Sequence, residues 1–386
     1  MSNESTDKFN RNECKGLLIY FIPYTKEPSK DNISTRIPLL YSVLRECAEV
    51  RRAPQSLNAK NFLINRILLL VTSTKLYFKT LKDRERIIIF GSDQPAGFTA
   101  TVLGTITKFL WKSRCIRIIY DSHGSRYKLA LDLNPPLIYR VISIFEDSLS
   151  VKAADLIIVP TYADKVTYAQ YTRRKDKFVV LPSLVRTDNI VFYEWSKREI
   201  DFAFHANFNY PPNIEALKII SRWIAGKSDI KMVIFGVNSL VAYRYITPQT
   251  LKQNDIRILG YVANPYIILG NTKFYLAPIF KGTGIITKVL EAMATGAIPI
   301  TTKLVTLGIP ELWQWPELIA SNISDWNEKV EKHLAGVYKL DYDTISKKLV
   351  DITNVNYSYD TNKSFLRDKL KNVTRIDRSV GTCLKK

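Results

Sequence analysis

Histidine and cysteine, the side chains that most often bind transition metals, are scarce in this sequence. The 386 residues include three histidines and four cysteines, and neither type forms a cluster. A zinc site needs several such ligands at short, regular spacings. We therefore expect no metal site, and we interpret the cysteines as reduced thiols, namely Cys14, Cys47, Cys115 and Cys383.

Long hydrophobic runs are also missing from the sequence. A membrane-spanning helix needs about 18 consecutive apolar residues. The most apolar stretch, residues 62–71, is interrupted by Asn65 and Arg66. The first residues are polar and include no apolar core of a signal peptide. We therefore expect a cytoplasmic protein.

Acidic residues are strongly outnumbered. The chain has 36 acidic and 56 basic residues, which gives a net charge of +20. The excess is +12 in residues 1–190 and +8 in residues 191–386, so it is not confined to a tail. A surface of this charge attracts an anionic partner such as nucleic acid, an acidic membrane face or a phosphorylated lipid.

The densest basic stretch, residues 51–86, interleaves basic and apolar side chains. It predicts one long basic amphipathic helix or two short ones. A helix of this type can lie on an anionic membrane surface. Alternatively, its apolar face packs on a sheet and its charges are merely solvated. The sequence leaves peripheral contact with the cytoplasmic face of a membrane open.

Short apolar runs alternate with helical patterns in two successive series. Together with the chain length, this predicts two doubly wound α/β domains with parallel sheets. The predicted strands are residues 16–22, 86–90, 116–120, 156–159 and 178–182, then 201–204, 231–236, 256–262, 274–279 and 297–302. The predicted helices include residues 33–49, 98–111, 139–152, 212–224 and 361–372.

Residues 281–296 combine a glycine-rich loop with one predicted helix. Gly282 and Gly284 allow a tight turn and close approach to a ligand, and the helix N-terminus attracts phosphate. We place Lys288 about one turn into this helix, within reach of a diphosphate. Glu291 lies one turn deeper on the same face, where a carboxylate accepts hydrogen bonds from vicinal hydroxyls. The predicted nucleotide-binding residues are Gly282, Thr283, Gly284, Ile285, Lys288 and Glu291.

The flanking strands decide between this interpretation and an ordinary solvated ion pair, which the same spacing often forms. A strand at 274–279 precedes the loop and another at 297–302 follows the helix. The loop therefore lies at the carboxyl end of a parallel strand, where open α/β sheets bind their ligands.

Residues 274–310 resemble the donor-binding segment of retaining glycosyltransferases with the GT-B fold, family four, also called glycosyl transferases group 1. That family has Gly-Gly-Ile-x-x-Lys-x-Leu-Glu-Ala followed by Gly-x-Pro. Here residues 283–292 read Thr-Gly-Ile-Ile-Thr-Lys-Val-Leu-Glu-Ala, and Gly-Ala-Ile-Pro follows at 296–299. Residues 208–213 resemble the Tyr-x-Pro-Asn signature of its second domain, and residues 121–161 are similar to the end of its first domain.

The resemblance implies the GT-B architecture, in which two Rossmann-like domains face each other across a cleft. Residues 1–185 would bind the acceptor, and residues 200–355 would bind the nucleotide sugar. Residues 356–386 would form a helix that crosses back to the first domain, followed by a tail.

The resemblance also implies an activity. The chain would be a hexosyltransferase that moves a sugar from a UDP- or GDP-linked donor to an acceptor glycan or a lipid-linked sugar. The reaction would retain the anomeric configuration and would need neither a metal nor a cofactor.

The candidate catalytic residues are His123, Lys288 and Glu291. His123 follows a predicted strand and precedes a glycine, so its ring should point from the sheet edge into the cleft, and the resemblance places it near the donor sugar. Asp93 and Arg126 are candidates for acceptor or sugar binding, although Arg126 is equally suited to pair with Asp121.

Two departures from the family pattern concern the donor sugar and the diphosphate. Thr283 stands where the family often has an acidic residue that contacts the sugar, and a subset of the family lacks this acid as well. Ala206 or Asn207 stands where a glycine usually follows the first strand of the second domain.

Three other functions compete with this interpretation. Sugar-nucleotide 2-epimerases share the fold, but they need paired carboxylates and a histidine around the sugar, a set that we cannot assemble here. A non-enzymatic nucleic-acid-binding protein would explain the charge, but no recognition motif supports it, and we expect no specific nucleic-acid partner. The third function is that of a degenerate transferase that has lost turnover, which the replacement of an acidic residue by Thr283 suggests.

Overall fold

The computed structural model describes residues 17–23, 36–53, 62–80, 86–111, 115–187, 190 and 192–374. Predictions that concern Cys14, Cys383, residues 54–61 and residues 81–85 lie outside this part of the chain. Cys115 is disulfide-bonded, so the prediction of a reduced thiol is wrong at this position. The wide spacing of the cysteines in the sequence gave no sign of a pairing.

The first sheet has six parallel strands in the order β2-β1-β3-β4-β5-β6. Its strands are β1 (Leu17–Pro23), β2 (Glu49–Arg52), β3 (Arg86–Ser92), β4 (Cys115–Asp121), β5 (Leu156–Val159) and β6 (Phe178–Val180). The helices between them are α1 (Arg36–Cys47), α2 (Phe62–Thr80), α3 (Gln94–Leu110), α4 (Arg126–Leu133), α5 (Leu137–Ala153) and α6 (Tyr162–Ala169).

The second sheet also has six parallel strands, in the order β12-β11-β10-β7-β8-β9. Its strands are β7 (Ile200–His205), β8 (Lys231–Phe235), β9 (Asp255–Ile258), β10 (Thr272–Leu276), β11 (Ile298–Thr302) and β12 (Ile319–Ala320). The helices of this half are α7 (Pro211–Ile224), α8 (Pro248–Gln253), α9 (Tyr266–Gly270), α10 (Thr287–Ala294), α11 (Lys303–Thr306), α12 (Ile323–Leu334) and α13 (Tyr342–Asn356), and α14 (Tyr359–Thr374) follows. The strand order reverses between β7 and β10, which opens a crevice at their carboxyl ends.

Burial on both faces explains why the central strands are visible in the sequence. Every residue of β1 and of β11 is buried. Helices cover both faces of a parallel sheet, so its strands are continuous apolar runs. The predicted apolar stripe of α1 is confirmed as core, since Leu39, Leu40, Val43 and Leu44 are at most 5% exposed.

The basic stretch of residues 51–86 is not helical throughout, which corrects the prediction at both ends. Arg51 and Arg52 belong to the edge strand β2, and Arg86 begins β3. Between them, α2 is a single helix. In the described part of the chain, no helix combines the length and the hydrophobicity that a bilayer span requires.

Helix α3 begins at Gln94, four residues before the predicted start. The carboxylate of Asp93 accepts a hydrogen bond of 2.7 Å from the backbone N–H of Gln94, and Pro95 lies in the first turn. An aspartate cap followed by proline is a favourable helix start. The cap fixes Asp93 at the carboxyl edge of the first sheet.

Two chain segments run side by side between the sheets. Val185 donates to the carbonyl of Tyr357, Tyr359 donates to the carbonyl of Val185, and both bonds measure 2.8 Å. Beyond this crossing, α14 packs on α1, and its Leu370 is buried in the core of the first sheet. The limits 1–185, 200–355 and 356–386 for the domains remain a prediction.

Candidate active site

The glycine-rich loop connects β10 to α10 at the carboxyl edge of the second sheet. Gly282 and Gly284 have φ angles of +149° and +73°, a region that favours glycine. Because Gly284 leaves the right-handed region, α10 begins only at Thr287. Lys288 therefore lies in the first turn of the helix, and its predicted place about one turn in is wrong.

Glu291 lies one turn further along α10 and faces the end of β7. Its Oε2 is 2.8 Å from Nε2 of His205, the last residue of that strand. The His205 ring stacks on Phe235 at a centroid distance of 5.0 Å. The carboxylate is thus held at the point where the strand order reverses.

Lys288 lies half-buried between α10 and α7. Its Nζ donates a hydrogen bond to Oδ1 of Asn213 and lies 5.6 Å from the centroid of the Phe204 ring. Burial lowers the pKa of Lys288 to about 7, although the nearby charge of Glu291 opposes the shift. An anionic ligand at this amine would restore its charge.

On the facing edge of the first sheet, His123 follows β4 as predicted. Its Nε2 lies 3.1 Å from Oγ of Ser92 and 3.3 Å from Oδ2 of Asp121, and its side chain is 26% exposed. The Ser92 hydroxyl donates to the same Asp121 oxygen at 2.7 Å. The ring is therefore anchored through one nitrogen.

Asp121 is fully buried and pairs with Arg36 of α1. Both Nε and one terminal nitrogen of Arg36 donate to Oδ1 of Asp121, at 2.9 and 2.7 Å. Burial by itself would raise the pKa of Asp121, but the charges of Arg36 and His123 lower it below its ordinary value. The carboxylate beneath His123 stays ionised.

Arg126, at the start of α4, pairs with Asp93 and not with Asp121. One guanidinium nitrogen lies 2.7 Å from each oxygen of Asp93. Although burial opposes it, Arg126 lowers the pKa of Asp93 to about 2. Asp93 has a φ of +70°, an unusual conformation for a residue other than glycine. Strain of this kind is often found at functional sites.

The two edges meet at Gly284 and Gly124. A Cβ atom added to Gly284 would lie 2.5 Å from the carbonyl oxygen of His123, and one added to Gly124 would lie 2.5 Å from Oγ1 of Thr283. These glycines let the loops of the two sheets touch. Beside the contact lies an open pocket, lined among others by Lys128, Thr161, Asp164, Gly282, Thr283 and Leu304.

The structure brings the predicted donor residues together and adds partners that the sequence did not single out. Ile285 packs against the core of the second sheet, and Thr283 faces Gly124 of the first sheet. His205, Asn213 and Arg36 were not among the predicted site residues. Within the described ranges, no group of three or more histidine, cysteine, aspartate or glutamate side chains is placed to hold a metal ion.

Residues 201–335 match the sequence profile of the family described as “Glycosyl transferases group 1”. This part of the chain belongs to the group 1 glycosyltransferases. The resemblance found in residues 274–310 is thereby confirmed. A comparison with curated proteins gives no match.

Several solved structures have a similar fold, and the similarity extends over both halves of this chain. Anabaena HepE in complex with UDP-glucose has a TM-score of 0.65 and 13% identity, covering 92% of this chain and 99% of that one. Sucrose-phosphate synthase of Thermosynechococcus elongatus has a TM-score of 0.68 and 10% identity, covering 92% and 98%. The lipopolysaccharide outer core galactosyltransferase WaaB has a TM-score of 0.60 and 13% identity, covering 92% and 99%. The predicted GT-B fold is confirmed.

Proposed function

We propose that this glycosyltransferase moves a hexose from a UDP-linked donor to an acceptor hydroxyl with retention of configuration. One observation carries the proposal. The glycine loop, Lys288 and Glu291 converge at the switch point of the second sheet, opposite His123 on the first. A nucleotide diphosphate fits this arrangement with its phosphates at the loop and its ribose at Glu291.

The choice of uridine rests on the similar structures. HepE was solved with UDP, with UDP and glucose, and with UDP-glucose. WaaB is described as a galactosyltransferase. We extend the nucleotide and the hexose to this chain, and GDP-linked sugars remain the alternative donors to test.

Stabilisation of the departing diphosphate is the main task of the second domain. The bond between the anomeric carbon and a diphosphate oxygen breaks, and negative charge grows on the leaving group. Lys288, the backbone N–H groups of residues 282–285 and the N-terminus of α10 all oppose this charge. The desolvated amine of Lys288 becomes fully cationic beside the diphosphate, so its attraction is strongest where charge develops.

The acceptor is bound from the first domain. Its hydroxyl oxygen bonds to the anomeric carbon on the face that the diphosphate leaves, and its proton passes to a phosphate oxygen of the leaving group. His123 is held through Nε2, which leaves Nδ1 for a hydroxyl of the donor sugar. Asp93 and Arg126 lie on the same edge and orient the acceptor or the sugar.

We assign a lipid-linked or otherwise anionic acceptor, with the protein at the membrane surface, from helices α2 and α5 of the first domain. Helices α2 and α5 are linked by a salt bridge of 2.8 Å between Arg66 and Glu146. Large apolar side chains are exposed on both helices, and Lys75 and Lys79 are exposed on α2. The apolar residues are Leu63, Ile64, Ile67, Leu68, Val71, Leu137, Ile138, Val141 and Phe145. Apolar and cationic side chains on one face favour an anionic bilayer.

Nucleotide release tests the proposed reaction. The protein is incubated with UDP- and GDP-linked hexoses, with and without membrane lipid extract, and free nucleotide is measured. We expect release of UDP that depends on the extract. Lys288→Ala and Glu291→Ala should each lower the rate about a hundredfold, while the exposed Lys339→Ala serves as the control.

Other outcomes separate the competing functions. Conversion of the sugar nucleotide without an acceptor would favour an epimerase. Binding of donor without turnover would indicate a degenerate transferase. Salt-sensitive DNA binding with no nucleotide binding would favour a nucleic-acid protein. Unchanged release by both variants would contradict the site assignment.

A further inference from the structure

The pair formed by His205 and Glu291 joins two parts of the site that are far apart in sequence. We infer that His205 is a positioning residue, which holds the carboxylate of Glu291 in the orientation that accepts the two ribose hydroxyls of the donor. This inference rests on the proposed function, because it assigns the ribose to Glu291. Its consequence is selectivity for ribonucleotides over deoxynucleotides.

Packing fixes the His205 ring before any ligand binds. The ring is stacked on Phe235, with 12° between the two planes, and its centroid lies 5.4 Å from that of Tyr275. The Tyr275 hydroxyl donates to the backbone carbonyl of His205 at 3.1 Å. The ring and the backbone of His205 are both held by these contacts. Nε2 therefore points toward Glu291.

The hydrogen-bonding pattern assigns the proton of the imidazole. Nε2 lies 2.8 Å from the Glu291 carboxylate, which can only accept, so the ring donates from Nε2. Nδ1 is buried and has no hydrogen-bonding partner among the described residues. Among the described residues, the His205 ring therefore donates its hydrogen bond to Glu291.

The chemistry of the carboxylate explains what the pair achieves. A carboxylate accepts about four hydrogen bonds, so a bond from His205 leaves capacity for two hydroxyls. A glutamate side chain has three rotatable bonds, and fixing them when the ligand arrives would weaken binding. His205 fixes them in advance through Oε2, the oxygen that lies 2.8 Å from Nε2.

Two substitutions separate positioning from packing. The amide nitrogen of glutamine reaches nearly as far as Nε2 of histidine, whereas that of asparagine reaches only about as far as Nδ1. His205→Gln therefore keeps an N–H donor near Glu291. His205→Asn carries the same amide group on a shorter side chain, so its donor does not reach Glu291. Calorimetric titration of both variants and the parent with UDP, 2′-deoxy-UDP and 3′-deoxy-UDP measures the effect.

For the parent, we expect UDP to bind about tenfold more tightly than either deoxynucleotide, because each lost hydroxyl removes a hydrogen bond to a charged group. His205→Asn should lose most of this preference while it binds 2′-deoxy-UDP nearly as the parent does. His205→Gln should recover the preference. A merely structural change would weaken all three ligands together and would lower the thermal midpoint in both variants.

Failure of this inference is distinguishable from failure of the proposed function. An unchanged preference for UDP in His205→Asn would overturn the positioning role while leaving the donor site intact. Equal loss of all three ligands in both variants would also overturn it. A parent that binds no uridine nucleotide would overturn the proposed function and this inference together.

Discussion

At the scale of single residues, the site depends on charges that the fold has shifted from their ordinary state. Lys288 is half-buried beside Asn213, and burial brings its pKa to about 7. Asp93 and Asp121 remain ionised under their arginine partners. Lys288 is thus the group whose charge changes near neutral pH, whereas the two carboxylates on the facing edge keep their charge.

Donor binding should depend on pH through Lys288. In the free protein the amine loses its proton above about pH 7. A bound diphosphate raises the pKa again, so binding takes up a proton above that pH. We expect the affinity for UDP-glucose to be highest below pH 7 and to fall by up to about tenfold per pH unit above it. Calorimetry between pH 6 and pH 9 measures this dependence. The range extends about one unit below and about two units above the pKa of Lys288 in the free protein.

UDP-glucose is the suitable ligand because its diphosphate is a diester and does not titrate in this range. Lys288→Arg is the matched control, since arginine stays charged. Its affinity should be nearly independent of pH. A flat profile for the parent, or the same slope in Lys288→Arg, would contradict the role given to this amine.

At the scale of elements, the sequence predicted features that depend on residues close together in the chain. It did not predict features that depend on long-range packing. The loop and Lys288 with Glu291 were predicted because glycines, helix start and spacing lie within one short segment. His205 was not, because its partner is 86 residues away and depends on how β7 packs beside α10. Arg36 was missed for the same reason, since it reaches Asp121 from 85 residues away. The edge strand β2 was missed because its residues are largely polar.

Helices α2 and α5 give a prediction about membrane contact. Ile67 and Val71 are 61% and 56% exposed on α2. Replacing both by glutamate removes apolar area and adds charge that anionic lipids repel. We expect binding to vesicles that contain phosphatidylglycerol to weaken by more than about tenfold. Cosedimentation at low and physiological salt measures it.

Val355→Glu provides the control, because Val355 is 64% exposed on α13 of the other half of the chain. This variant should bind vesicles as the parent does. Equal vesicle binding by the parent and the double variant would show that the apolar face of α2 does not carry the attachment. The acceptor would then have to be sought among soluble glycans.

At the scale of the whole molecule, the proposed reaction requires the two sheets to present their carboxyl edges to each other. The contact is made at two glycines, where Gly284 lies against the carbonyl of His123 and Gly124 lies against the side chain of Thr283. The strong alternation of strands and helices in the sequence predicted two domains, and the family resemblance implied the cleft between them. The sequence could not predict which loops touch, because that depends on the crossing segments near Val185 and Tyr359.

Gly284→Ala should separate these edges. The added methyl group would lie 2.5 Å from the His123 carbonyl oxygen, and the φ of +73° is strained for alanine. We expect a cost of about 1–3 kcal/mol and a large loss of nucleotide release. Gly260→Ala is the matched control, because a Cβ atom there meets nothing within 4 Å. Thermal unfolding and the release assay measure both variants. Parent-like activity in Gly284→Ala would mean that the close contact is not needed for transfer.

A crystal structure of the protein with UDP-glucose would show directly where the diphosphate and the ribose bind. We expect the diphosphate at residues 282–285 with Lys288 Nζ in hydrogen-bonding distance, and both ribose hydroxyls on the Glu291 carboxylate. A nucleotide bound elsewhere, or one whose ribose lies away from Glu291, would contradict this expectation.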